Sequence, residues 1–219
     1  TNAGPNPHKP AMDHPGGMQF DGELLWIPIA TSRPGGESYL CAFDVRSLRP
    51  DRTAAPMIRY GVGDHIGALA ASRKLNLIAG ANWDTGKIYL WNFNGQLLQT
   101  ITASGFVTLQ VHAGPDATEK TGVAIQDWKF FGSQLYAAGL VKAPAARTTF
   151  PRSHLLLVEN FPNKNSHATV MALEGPNGVE LAAEGMTIDA ESVWFLPEDL
   201  GTSNRLFRLK LRLIERQLR

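Results

Sequence analysis

The chain has 219 residues, a formal net charge of +1, 43% hydrophobic and 19% charged residues, which fits one large or two small globular domains and excludes a disordered tail or a charge-rich helical rod. Near-neutral charge argues against bulk electrostatic capture of nucleic acid, and no apolar run reaches the ~18 residues of a membrane span. A single Cys excludes an intrachain disulfide framework and a multi-Cys zinc site, while 21 Gly and 14 Pro predict short strands and turns in place of long helices.

Thr1–Asp13 holds three Pro and reads as an irregular arm. From His14 the sequence HPGGMQFDGELLWIP predicts a short strand (Met18 to Phe20), a turn at Asp21-Gly22 and a second strand (Leu25 to Ile29). A polar loop, TSRPGGE, separates these from a third strand, SYLCAFDV, and a fourth is expected at Ala55–Tyr60. The same order recurs from His65 (HIGALAASRKLNLIA, loop NWDTG, strand KIYLWNF, fourth strand Leu97–Thr102). It recurs again from Ala124 (AIQDWKFFGSQLYAA, loop VKAPAARTTFPRS, strand HLLLVENF, fourth strand Thr169–Leu173) and from Ala182 (AAEGMTIDAESVWFLP, loop PEDLGTSN, strand RLFRLKL). The first and last copies align without a gap: Gly17 on Gly185, Met18 on Met186, Asp21 on Asp189 and Trp26 on Trp194.

Four copies of a three- or four-stranded unit predict an all-β chain folded as a β-propeller over residues 14–219, with about four visible blades. One small sheet cannot bury both faces alone, whereas radial stacking buries them against neighbours. A β-sandwich is the rival, but it does not require the first and last hairpins to share a sequence. Closure of a four-blade ring would need the arm before His14 to complete the last blade. Otherwise the chain is part of a longer protein of five or more blades.

In a propeller the first strand of each blade lines the axis, and the loop between strands two and three returns to the face where that strand begins. The repeat starts therefore predict convergence of His14, His65, Gln126, Asp127 and Glu184, and the loops add Arg33, Asn82, Trp83 and Asp84 as a ligand rim. Imidazole with carboxylate and amide oxygen is a donor set for calcium or a transition metal, and a bound metal can activate water or polarise an ester carbonyl. The competing reading is a metal-free polar channel. Glu198 and Asp199 are candidates for proton transfer, if burial separates their pKa values. Gly16-Gly17 is expected to allow close approach at the axis. Cys41 alternates as a buried small residue in its strand. The basic tail Arg205–Arg219 alternates Leu209, Leu211 and Leu213 with charges, as a strand with one solvated face does.

The segments HPGGMQFDG, GDHIGALA, QDWKF and EGMTIDAESVWFLPED resemble an uncharacterised family of bacterial and fungal β-propellers over about residues 12–210. That resemblance implies a longer parent protein with a further repeat upstream, and export as the expected localisation. More distantly, AEGMTI resembles the Glu-Gly strand start of the gluconolactonase, paraoxonase and phosphotriesterase-like propellers. There the resemblance implies Glu184 as a metal ligand and hydrolysis of a lactone or ester. Two expectations follow: a propeller that binds a small molecule or divalent metal at a polar channel mouth, with metal-assisted hydrolysis as its catalytic form, or a non-catalytic module that engages a ligand or protein partner with its rim.

Overall fold

The structure, a computed structural model, describes residues 11–51, 53–102, 110–112, 120–141, 152–163, 165–197 and 205–212. Its four antiparallel sheets follow one another along the chain as the blades of a four-bladed β-propeller. Blade one holds β1 (Met12–Pro15), β2 (Gln19–Phe20), β3 (Leu24–Thr31), β4 (Ser38–Asp44) and β5 (Ile58–Val62). Blade two holds β6 (Ile66–Ser72), β7 (Leu77–Asn82), β8 (Lys87–Trp91) and β9 (Leu97–Thr102). Blade three holds β10 (Gln110–His112), β11 (Lys120–Phe131), β12 (Gln134–Val141), β13 (Ser153–Glu159) and β14 (His167–Ala172), and blade four holds β15 (Gly185–Ile188), β16 (Ser192–Leu196) and β17 (Phe207–Lys210). Among the described residues, helix is limited to 3-10 turns such as Val45–Ser47 and Pro176–Gly178 and to Leu211–Arg212, and no helix is long and apolar enough to cross a membrane.

Strand alternation feeds two interfaces at once. In β12, Leu135 and Ala137 enter the core shared with blade two, while Tyr136 and Ala138 enter the core shared with blade four. In β13, Leu156 and Val158 face one way and Leu155 and Leu157 the other. Strands buried on both faces read as continuous apolar runs, which is why HLLLVENF shows no polar alternation. Trp26 and Leu40 of blade one pack with Ile66, Leu69 and Ile78 of blade two in a third core. Among the described residues each core joins blades that are consecutive in sequence, and none joins blade four to blade one.

A repeated hydroxyl fastens each blade to the next. Ser38 Oγ accepts the N–H of Ile66 at 2.7 Å, Thr85 Oγ1 accepts that of Ile125 at 2.7 Å, and Ser153 Oγ accepts that of Ala182 at 3.2 Å. Each hydroxyl stands at or just before the third strand of its blade, and each N–H stands where the chain enters the following blade. All three hydroxyl residues are buried, so the N–H groups they hold have no access to water. Ser38 also donates to Asp64 O at 2.8 Å, and the Leu173 N–H donates to Ser153 O at 2.8 Å.

At the axis the first strand of blade one is broken between β1 and β2. Gly16 N–H donates to Pro28 O at 2.9 Å, then the chain leans onto blade two: Gly17 N–H donates to Gly67 O at 2.9 Å, and Gly17 O accepts from Leu69 N–H at 3.0 Å. A Cβ on Gly16 would lie 2.1 Å from Gly67 O, and one on Gly17 would lie 2.4 Å from Asp127 Oδ1. The expected close approach is thus real. Gln19 completes this crossing: its Nε2 donates to Phe130 O at 2.9 Å, and its Oε1 accepts from Phe130 N–H at 2.8 Å and Ala71 N–H at 3.3 Å. One buried amide in blade one therefore bonds backbone in blades two and three.

The aligned first hairpins of blades one and four share a turn. Asp21 accepts the Glu23 and Leu24 N–H groups at 2.8 and 2.9 Å and the Trp26 indole N–H at 2.8 Å. Asp189 accepts the Glu191 and Ser192 N–H groups at 2.8 Å each and the Trp194 indole at 2.9 Å. At Asp21 burial pushes the carboxyl pKa up, but the N–H bonds, the indole and Arg73 outweigh it and hold it below the ordinary value. At Asp189 the indole and backbone bonds do the same.

Element boundaries differ from the sequence expectation in identifiable ways. The second strand of blade two, expected from Leu75 to Ala79, runs Leu77–Asn82, because Asn76 takes a left-handed φ of 47° in the turn. The fourth strand of blade one is Ile58–Val62, shifted toward blade two, and β11 extends back to Lys120 to pair with β10. That extension has a backbone ladder through the polar stretch Lys120–Gly122, which hydropathy reading does not register. Cys41 is buried, and burial pushes its thiol pKa up. In β17, Leu209 packs inward while Arg208 and Lys210 are exposed, but the expected strand ends at Lys210: Leu211 and Arg212 are helical, and Leu213 lies outside the described residues.

Two outcomes are expected. Ser38→Ala and Ser153→Ala each strand a buried N–H and lower the unfolding free energy by about 1–3 kcal/mol, read from denaturant midpoints at unchanged m-value. Asp21→Asn is destabilising at neutral pH, and its gap to the parent closes as pH falls below 3.8. The sign follows from linkage: a depressed folded pKa contributes stability above the unfolded value, and this is lost on acidification through the folded one.

Candidate functional site

All four blades contribute to one cavity of about 980 Å³. Five of the predicted residues line it: His14, His65, Gln126, Asp127 and Glu184, together with Trp83 and Asp84 of the rim set. The side chains of Arg33 and Asn82 do not. Asn82 is held in its own loop, its Nδ2 donating to Asp64 Oδ2 at 3.2 Å and its Oδ1 accepting the Lys87 N–H at 2.8 Å. Arg33 contributes a backbone carbonyl to His65. Glu198 and Asp199 lie outside the described residues.

His65 is buried at the start of blade two, and its Nδ1 lies 2.8 Å from Thr31 O and 3.1 Å from Arg33 O. Carbonyl oxygens only accept, so Nδ1 carries the proton and Nε2 of the neutral ring keeps its lone pair. Burial lowers the His65 pKa, partly opposed by the two carbonyl bonds, which favours that neutral form. The ring meets Trp83 edge-to-face at 4.5 Å between centroids, and the exposed His14 ring lies 5.6 Å from His65 and 6.2 Å from Trp83. The loop bearing Trp83 is fixed from below: Trp83 N–H donates to His65 O at 3.1 Å, and Asp64 accepts the Tyr89 hydroxyl at 2.7 Å. Burial and the Asp64 carboxylate push the Tyr89 pKa up to about 12.

Blade three supplies the deepest polar groups. A bulge in β11 leaves Gln126 unpaired between Ile125, opposite Gly139, and Asp127, opposite Ala138. Such a bulge re-aims side chains. Asp127 and Lys129 then share one face of the strand, with apolar Trp128 on the other. Both charged residues are buried, and they form an ion pair. Asp127 Oδ2 also accepts the Met186 N–H of blade four at 2.8 Å. Burial pushes the Asp127 pKa up and the Lys129 pKa down, and each is opposed by the attraction of its partner.

Lys129 is the functional candidate that reading by repeat starts passes over. The available signal was the two-residue period: a charge two places after Asp127, inside an apolar strand, faces the axis with it. The remaining walls are largely apolar. Met18 and Phe20 of blade one and Leu196 and Leu206 of blade four line the cavity while 42%, 51%, 41% and 61% exposed, so this end opens between those two blades. No group of three or more His, Cys, Asp or Glu that could hold a metal ion occurs among the described residues.

The model of the family of unknown function DUF6454 matches residues 3–114, half of the chain, and the chain belongs to that family. No curated protein matches. Among solved structures, the β-propeller domain of Cps50 (Swd1) from Myceliophteria thermophila is similar at 15% identity and a TM-score of 0.43, over 93% of this chain and 53% of that one. The chain thus spans about half the length of that structure. The computationally designed Ika4 protein aligns at 10% identity and a TM-score of 0.42, over 91% and 92% of the two chains. Hydrazine synthase from Kuenenia stuttgartiensis aligns at 10% identity and a TM-score of 0.46, over 100% and 82%.

A double-mutant cycle weighs the buried pair. Lys129→Met alone leaves a buried carboxylate unpaired and is expected to cost about 3–5 kcal/mol, as is Asp127→Asn alone, whereas the combined variant recovers most of that loss. Equilibrium unfolding of the four proteins reads the coupling.

Proposed function

We propose that the protein binds a small organic molecule in the axial cavity. The observation that carries this reading is the composition of that single space of about 980 Å³: apolar walls drawn from four blades, with a few polar groups fixed in place among them. Ligand sites have this character, at about 300–1,000 Å³ with few converging polar groups. His65 offers an acceptor lone pair at one mouth, and Trp83, 38% exposed, offers a ring face for stacking.

Metal-assisted hydrolysis of a lactone or ester is the catalytic form of the same reading. Its support is the resemblance at Glu184 and the nearness of His14 and His65, 5.6 Å between ring centroids. The described residues do not supply a ligand set: Asp127 is committed to Lys129 and to the Met186 N–H. The non-catalytic form needs only the cavity and its rim.

The test is a titration of a panel of amphipathic small molecules followed by tryptophan fluorescence, since Trp83 and Trp194 line the space. Saturable quenching is expected, weakened at least about tenfold in Thr187→Trp, which fills the cavity from an exposed wall position. Absence of saturation across the panel, or binding indifferent to Thr187→Trp, overturns the proposal. The same panel, extended to esters and lactones with and without a chelator, reads hydrolysis: turnover lost on chelation supports the catalytic form, and no turnover with no stoichiometric metal removes it.

A further inference from the structure

We infer that the Lys129–Asp127 pair makes the cavity selective for an uncharged carbonyl compound on an apolar chain, a ketone being the simplest, over acids and amines of the same length. The inference rests on the cavity-binding reading and names its ligand class.

Donor and acceptor bookkeeping leads there. An ammonium has three donors, and among the described residues Lys129 gives one, to Asp127. Two donors remain on a group that lines the cavity and is itself buried. Asp127 is spent in the opposite sense: one oxygen takes Lys129 and the other takes the Met186 N–H. The pair therefore presents free N–H donors to the cavity, beside carboxylate oxygens that are each already engaged. A ligand that seats there must bring an oxygen that accepts.

Charge balance narrows the class further. The pair is neutral as a unit, whichever partner holds the proton. A carboxylate placed beside it would leave one net negative charge next to Met18, Phe131, Leu140 and Met186, in a cavity whose other charged lining includes Glu184, Asp84 and an Arg152 already paired with Glu180, and an uncompensated buried charge is strongly disfavoured. An alkylammonium fails twice, since it adds a net positive charge and has no lone pair for Lys129. An uncharged carbonyl accepts from the free donors and adds no charge. A pure hydrocarbon fills the space but displaces water from donors it cannot satisfy.

The experiment displaces a fluorescent apolar probe from the intact chain with methyl heptyl ketone, octanoate and octylammonium. The ketone is expected to bind at least about tenfold more tightly than either ion. The near-isosteric Asp127→Leu/Lys129→Met variant removes the donors without changing the net charge, so it is expected to retain the probe and to bind the ketone at least about tenfold more weakly than the parent does. If the parent binds the probe but ranks the three head groups equally, or if the double variant binds the ketone as tightly as the parent, the inference is overturned while cavity binding stands. If the probe itself does not saturate, both fail. A variant that no longer melts cooperatively is replaced by the pair Lys129→Gln, which keeps an N–H donor at that place, and Lys129→Met, which does not; ketone affinity retained in the first and lost in the second supports the inference, and equal affinity in both overturns it.

Discussion

The hydroxyl at or just before the third strand of one blade, holding a buried N–H at the entry to the next, is the contact on which the architecture turns. A four-stranded sheet with apolar side chains on both faces is insoluble as a unit and stable only when seated. Seating needs a defined angle and height, and apolar packing alone is tolerant of both. A hydrogen bond from Ser38, Thr85 or Ser153 to the entering strand is not tolerant, because the group it satisfies is sealed from water. The cores of Trp26 and Ile66, of Ile125 and Leu156, and of Tyr136 and Phe195 then form around a geometry already specified.

That arrangement also explains where chemistry can reside. Each entering strand begins beside its staple, at the face where the polar residues of the repeat starts gather, and continues inward toward apolar positions. His65 stands at such a start and Asp127 and Lys129 lie further along theirs. The cavity thus grades from wettable rings to a sealed ion pair within one strand length. A backbone bulge at Gln126 does the sorting in blade three, turning Asp127 toward the axis instead of toward the interface with blade two.

Much of this was legible in the residues. The gapless likeness of the first and last hairpins foretold a shared turn, and Asp21 with Trp26 and Asp189 with Trp194 make the same bonds. Gly16-Gly17 announced the crossing at the axis. The inter-blade hydroxyl bonds were written in the sequence as a Ser or Thr before YLCAF, GKIYLW and HLLLVE, but a hydroxyl has too many ordinary uses to be read without knowing what lies across from it. Lys129 was hidden for a related reason. A lysine in a strand defaults to solvent, and only the neighbouring bulge and the partner carboxylate make an inward orientation tolerable. Gln19 is less legible still, since its partners, Ala71 and Phe130, stand far off in sequence and are backbone groups that no side-chain pattern betrays.

Gln19 has a consequence for register. Its amide gives to the carbonyl and takes from the N–H of a single residue, Phe130, which is how a peptide group in a neighbouring strand would behave. It is in effect a piece of counterfeit backbone, set crosswise to the blades. Because side chains alternate along a strand, a slip of β11 by one position would turn Lys129 out of the cavity and Trp128 into it. Such a slip would also set Gln19 against a different peptide group and leave its second grip on Ala71 in place. The phase of the innermost hoop is locked like a keyed shaft, and the polarity of the cavity is inherited from that key.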